Sequence, residues 1–389
     1  MYDEQLVFSQ VMEFVPRYHF QKCVAKFHGN YRTRRFSCWD QFLCMSFAQL
    51  TYRESLRDIE ACLRSCKTKL YHMGIRSHVS RSTLADANEK RNWRIYAEFA
   101  QLLINQAKGL YVNEPFGVDI NETVYALDST IIKLCLSLFP WAQSIKKQGA
   151  IKMHTLLNLR GSIPELIHIT KGSVHDVNIL DMLVPVPGSF YIMDRGYTDF
   201  KRLYWLTQCC AFFIIRAKSP LDFRRIDSAI HDPSPGVLCD QTIVLIGEQS
   251  SRRYPAQLRR IKYRDRESNT TLVFLTNNFM LAPTIIAELY RYRWHIELFF
   301  KWVKQHLRIK AFYGTSENAV KTQLWIAVST YLLIAIIKKV LKLEQSLYTI
   351  LQILSISIFE RKPIFQVFTD TECIIHTYNN PNQLNLFDF

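Results

Sequence analysis

The chain has 389 residues, a formal net charge of +15 and 48% apolar residues, so it is long enough for two or three domains with real cores and is not disordered. A basic, aromatic-rich globular chain points to a polyanionic partner, nucleic acid before a membrane surface, with an ordinary basic enzyme as the alternative. Ten scattered cysteines without a CxxC pair argue against a disulfide framework or a zinc site and for reduced thiols in a cytoplasm.

The N-terminus, MYDEQLVFSQ, is acidic and lacks the long apolar run of a signal peptide. Residues 1–112 form the first expected domain, mostly helical. FSCWDQFLCMSFAQL (36–50) has helical apolar spacing, and Leu56, Ile59 and Leu63 form one stripe of the next helix. A turn-rich segment (71–82) then leads into a long helical stretch from Ser82 to about Leu110, which Ser80 or Ser82 can cap. Residues 1–110 carry 17 Lys+Arg against 10 Asp+Glu, the more densely basic part of the chain. Two helices and a turn opening on Ser80-Arg81-Ser82-Thr83 resemble a DNA-reading unit, with Arg81 and Ser82 as contacts. A helical bundle with a solvated basic face remains the alternative.

From about 113 the periodicity changes. TVYALDST (123–130), IKMHTLLNL (151–159) and IPELIHITK (163–171) read as strands, the last two joined at Arg160-Gly161-Ser162. A short helix (177–183), a strand SFYIMDRG (189–196), a helix (199–210) and a strand AFFIIRAK (211–218) follow. Three antiparallel strands and then α-β-α-β is the order of a ribonuclease-H-like sheet. The expected class is therefore α/β: a mixed five-stranded catalytic core (113–218 and 281–345), a β-rich insertion (219–280) and an N-terminal all-α domain. The insertion holds a PSPG turn (233–236) and three strand-like runs (237–246, 258–265, 270–277). Arg252, Arg253, Arg259, Arg260 and Lys262 are its candidate DNA-backbone contacts, with a solvated basic face as the alternative. Residues 346–389 close the chain with an apolar helix and a polar tail (377–384). The longest apolar run, 324–337, has 14 residues and suits a buried helix better than a membrane span.

Within 283–308, a helix at 100° per residue brings Tyr290, Arg293, Glu297 and Lys304 onto one narrow arc, with Lys301 beside it. Ile296, Phe299 and Val303 fall on a separate core stripe. Asp128 and Asp194 each close an apolar strand run, and a carboxylate there is costly unless paired, hydrogen-bonded or holding a metal. In this strand order the first and fourth strands are neighbours, so Asp128 and Asp194 meet, and the helix with Glu297 packs over them. Three carboxylates favour hard cations, Mg²⁺ or Mn²⁺. Two such ions can serve a phosphodiester displacement.

With these residues the chain resembles the DDE transposases of insertion sequences, of the insertion-sequence-4 type, over roughly 30–345. Tyr290, Arg293, Glu297 and Lys304 match the family signature Tyr-x2-Arg-x3-Glu-x6-Lys. Asp128-Ser129-Thr130 and Asp194-Arg195-Gly196-Tyr197 match its two aspartate motifs, and Lys152, His154, His175 and Asp176 match accompanying positions. The resemblance implies that Asp128, Asp194 and Glu297 hold two Mg²⁺ ions, with Mn²⁺ able to substitute, and that Tyr290, Arg293 and Lys304 grip phosphates; Lys301, beside them on the arc, is a further candidate DNA contact. It implies that Lys152 and His154 support the site or touch DNA. The implied partners are the transposon's terminal inverted repeats and target DNA, bound by a homodimer in a bacterial, nucleoid-associated setting. The implied activity is nicking at the transposon ends to free 3′-hydroxyls, which attack a second phosphodiester either across the duplex, as a hairpin, or in target DNA, to which the ends are joined. The insertion would hold a flipped base on an aromatic; it has no Trp, leaving Phe223, Tyr254 and Tyr263 as candidates. A nuclease without strand transfer and a non-catalytic DNA-binding descendant are the alternatives.

Overall fold

The computed structural model describes residues 5–76, 78–115, 117–142, 149–229, 236–265, 269–306 and 312–369. Most of the PSPG turn, residues 307 and 308 of the expected 283–308 helix, and the polar tail lie outside them. The chain divides into two compact units, 1–110 with 302–389 and 111–301.

The first unit is helical. Its N-terminal part comprises α1 (Val7–Glu13), α2 (Arg17–Lys26), α3 (Cys38–Leu50), α4 (Leu56–Ser65), α5 (Arg81–Lys90) and α6 (Arg94–Tyr111), the last ending at the unit boundary. Serine side chains open three of them. Ser37 forms a capping box with Asp40 on α3, Ser55 caps α4 and Ser80 caps α5, each worth about 1 kcal/mol. The expected single helix from Ser82 to Leu110 is broken at Arg91. There the backbone turns extended, and the Arg91 guanidinium donates to the Phe36 and Ser37 carbonyls; Asn92 then caps the restart at Arg94. A buried hydrogen-bond demand at the start of α3 thus overrides helix propensity.

The second unit is built on one sheet. Its elements are β1 (Val124–Leu134), β2 (Gly149–Asn158), β3 (Ile163–Lys171), β4 (Phe190–Met193), α7 (Phe200–Gln208), β5 (Phe212–Arg216), β6 (Phe223–Ser228), β7 (Val237–Leu245), α8 (Glu248–Arg253), β8 (Leu258–Arg264), β9 (Thr271–Thr276), α9 (Pro283–Arg291) and α10 (Trp294–His306). The segment at Asp176–Met182, expected as a short helix, is a 3-10 helix. The strand order is β3-β2-β1-β4-β5-β9-β8-β7-β6. β1, β2 and β3 are antiparallel, and β4 and β5 run parallel to β1, the ribonuclease-H-like half. β4 and β5 are apolar on both faces, as central parallel strands covered on both sides must be.

The expected insertion is β-rich, as β6–β9, and it does not form a sheet of its own. β9 pairs antiparallel with β5 (Ile214↔Thr276, Ile215↔Leu275), so β6–β9 extend the same sheet. One apolar core joins Leu127, Tyr191 and Met193 to Phe213, Ile243, Leu258 and Leu275 across both halves. The expected boundary at 218/219 therefore falls inside a packed core.

The chain then returns to the first unit as α11 (Glu317–Val340) and α12 (Leu347–Ser357), capped by Ser316 and Ser346. α11 packs against α3, α5 and α12 and is buried on every side. The expected scheme places it in the catalytic core as part of 281–345; its packing partners are α3, α5 and α12. It is long and apolar enough to cross a bilayer, but 94% of its apolar window is buried within the fold.

The hairpin at 160–162 puts Gly161 and Ser162 in the left-handed region (φ +73° and +55°). A Cβ on Gly161 would also run into the Tyr111 ring. Gly161→Ala is expected to destabilise the second unit by about 1–3 kcal/mol, read as a lower thermal midpoint.

Candidate active site

β1 and β4 deliver the two aspartates together. Their parallel register ends at Leu127↔Met193, and the next residue on each is Asp128 and Asp194. Asp128 does not end its strand, as expected from the apolar run; β1 continues to Leu134 and β2 pairs with it throughout. It is β4 that stops, at Met193, and Asp128 feels the charge of Asp194 just beyond it. Asp194 leads into a 3-10 turn, Arg195–Tyr197.

Glu297 arrives on α10. The expected continuous helix is broken: Tyr292 closes α9 and the Arg293 N–H bonds the Tyr290 carbonyl in a tighter i→i+3 turn. The predicted core stripe holds, with Ile296, Phe299 and Val303 all buried. The break leaves Arg293 between two carboxylates. Its Nη1 donates to Asp128 Oδ2 at 3.0 Å and its Nη2 to Glu297 Oε1 at 2.6 Å. Burial opposes the Arg293 charge, but the Glu297 hydrogen bond, Tyr290 and Asp128 outweigh it and its pKa is raised. Tyr290 lies against Phe274 (ring centroids 4.7 Å apart), and burial pushes its hydroxyl up to about 12. That position makes Tyr290 a prop for Arg293 more than an exposed phosphate contact.

Burial pushes the Asp128 carboxyl up to about 6; the Ser129 N–H and Arg293 pull it down, and the charges of Glu297 and Asp194 push it further up. Asp128 thus feels both of the other carboxylates. Among the described residues, no three acidic or imidazole groups stand at metal-ligand spacing, and Arg293 spans Asp128 and Glu297. The donor set nevertheless fits a hard divalent cation: it is all carboxylate oxygen, mutually repelling, with one arginine to offset three acids.

Lys152 and His154 are not surface DNA contacts. They are 9% and 1% exposed. Lys152 Nζ donates to the Val174 carbonyl (2.8 Å) and Asp176 Oδ1 (3.0 Å), and the Ser129 hydroxyl donates to the same oxygen (2.7 Å). His154 pairs its Nε2 with Thr170, and burial pushes its pKa down to about 4. This network braces the segment carrying Asp128. The exchange between Lys152 and Ser129 through Asp176 was the part not foreseen from the residues; the signal was a lysine inside the apolar run IKMHTLL.

The remaining candidates separate by exposure. Lys301 is exposed on α10, and Lys304, two turns beyond Glu297, is half-buried and belongs to the first unit. Arg81 and Ser82 are exposed at the start of α5. Fifteen residues (66–80) part α4 from α5, far more than a tight helix-turn-helix uses. Arg252 pairs with Glu248 in the open, and Arg253 is exposed. Arg260 is drawn along the sheet to Gln241 and over Phe223. Arg259 corrects the expectation of a DNA contact: 7% exposed, it makes a two-pronged bond to Asp240 (2.8 and 2.6 Å). Tyr254 is 1% exposed within the core and has no face to offer a base.

Two family models match the chain. Residues 120–333 match the family described as Transposase DDE domain, and residues 3–76 match a domain of unknown function, DUF4372. The chain is 32% identical over 286 residues to a putative transposase, y4zB, of Sinorhizobium fredii, covering 72% of this chain and 78% of that one. It is 30% identical over 212 residues to a probable transposase for insertion sequence element IS5377 of Geobacillus stearothermophilus (54% and 55% covered). It is 24% identical over 262 residues to a putative transposase for insertion sequence element IS4SA of Synechocystis (66% and 71% covered).

Proposed function

The chain belongs to the transposase DDE domain family, and on that premise we propose that it cuts the ends of an insertion sequence and joins them to target DNA. The observation that carries the reading is the meeting of Asp128 and Asp194 at the end of the β1–β4 register, with Glu297 linked to Asp128 through Arg293.

Asp128, Asp194 and Glu297 would hold two Mg²⁺ ions, or Mn²⁺ in their place. When bound, such ions supply Lewis-acid neutralisation of the charge that builds on a reacting phosphate. The chain's own groups do the positioning. Ser129, Asp176 and Lys152 fix the segment bearing Asp128. Arg293, backed by Tyr290, offers a cation between Asp128 and Glu297 that can turn to a phosphate oxygen. Exposed Lys301 can follow the strand along α10.

The chemistry needs no protein nucleophile. A water oxygen forms a bond to phosphorus at the transposon end, and the leaving 3′-oxygen takes a proton to become a free hydroxyl. That hydroxyl then attacks a target phosphodiester, forming one P–O bond as another breaks. Two ends must be joined together, so two active sites, a homodimer on DNA, serve one event.

The test is an assay with end-bearing donor DNA, a target plasmid and Mg²⁺. Covalently joined donor–target products are expected. Double-strand breaks without joined products would overturn strand transfer and leave a nuclease.

A further inference from the structure

Between Glu13 and Asp40 the chain carries six basic residues and no acidic one, interleaved with Tyr18, Tyr31 and Trp39. The fold gathers part of this run into a cleft of about 820 Å³ in the first unit, lined by Arg17, Arg34, Arg35 and Arg76 with Tyr31 and Trp39. We propose that this cleft is a binding surface for the phosphate backbone of duplex DNA, separate from the start of α5. The proposal rests on the transposase reading for its choice of polyanion.

Three features point to a ligand. First, the cations are free: Arg34, Arg35 and Arg76 are exposed and have no carboxylate partner among the described residues. The one acid lining the cleft, Asp40, is already engaged by the Ser37 N–H and hydroxyl. Four guanidinium groups around one open cleft repel each other, and a chain of phosphates offsets that repulsion.

Second, the loop between α2 and α3 is held in shape before any ligand arrives. Asn30 accepts from the Cys38 N–H (2.8 Å), the Gly29 N–H bonds the Val24 carbonyl (2.9 Å), and Arg91 clamps the far end through Phe36 and Ser37. Gly29 lets the loop lie flat on the helices, since a Cβ there would meet Ile95 and the Cys38 sulfur. A pre-shaped loop loses little entropy on binding.

Third, the aromatics are presented with the charges. Arg17 stacks over Trp39 at 5.2 Å, and Tyr31 is 72% exposed with Arg32 over its ring. A solvent-facing tyrosine amid arginines suits sugar and phosphate contact.

The experiment measures binding of a fluorescein-labelled mixed-sequence duplex to the full chain by anisotropy, in EDTA, over a range of salt concentrations. Arg34→Ala/Arg35→Ala is compared with wild type and with Lys342→Ala/Arg361→Ala. The control removes the same charge from exposed positions of the same unit. The cleft variant is expected to bind at least about tenfold more weakly. Its salt slope should be shallower by about 1.8, two phosphate contacts at about 0.9 each. Both variants should keep the wild-type thermal midpoint, since all four side chains are exposed. No binding by wild type, an unchanged affinity and slope in the cleft variant, or an equal loss in the control would each overturn the proposal. Cleft-dependent binding by a wild type that neither nicks nor joins ends in Mg²⁺ would instead overturn the proposed function and leave the cleft standing.

Discussion

Asp194→Asn is expected to slow Mg²⁺-dependent nicking of an end-bearing duplex by at least about 10²–10³-fold, the scale for losing one preorganised charge-stabilising group. Duplex affinity in EDTA should stay level or tighten slightly, because the change removes a negative charge that faces a polyanion. The two readouts together separate catalysis from binding. Asp194 sits beyond the last β4 pair, half-buried, at the turn into Arg195–Tyr197. Asn keeps the side-chain shape there, so the fold should survive. Nicking equal to wild type would remove Asp194 from the active site.

Arg259→Ala is expected to lower the stability of the second unit by about 3–5 kcal/mol, the scale for breaking a buried ion pair by removing one partner. The loss would strand Asp240, 5% exposed, and also release the carbonyls of Asn278 and Leu281 that Arg259 binds. Chemical denaturation gives the stability, and DNA binding by the folded fraction gives a second readout. The salt slope of that fraction should equal wild type, since a buried guanidinium meets no phosphate. A stable variant with a shallower slope would restore Arg259 as a DNA contact. Arg259 thus separates structural from DNA-facing arginines in a strand where the two look alike in sequence.

Much of the site was legible from residues alone. Apolar runs ending in Asp128 and Asp194 marked the strands, and alternation plus chain order implied that β1 and β4 are neighbours. The i,i+4 spacing of Arg293 and Glu297 implied their contact, and the observed bond is 2.6 Å. The arc drawn through Tyr290 and Lys304 was less secure. A single tighter turn at Tyr292–Arg293 shifts the phase of everything on one side of it relative to the other. Tyr290 consequently packs on Phe274 of β9, a strand whose place beside the site no local pattern announces.

Local periodicity records which face of an element is buried, because the period of a helix or strand is a short-range property of the backbone. The sequence by itself therefore determined the elements of the ribonuclease-H-like half, the two aspartates that close its apolar runs and the helix bearing Glu297. Tertiary structure alone decided that β6–β9 extend the same sheet, that α11 joins the N-terminal helices, and which cations are spent inside the protein. Those outcomes depend on partners distant along the chain. A lysine or arginine has the same charge whether it faces a carboxylate or a phosphate. Lys152 against Asp176 and Arg259 against Asp240 are satisfied within the fold, while Arg34 and Arg35 stay exposed to solvent, and only packing distinguishes the two conditions.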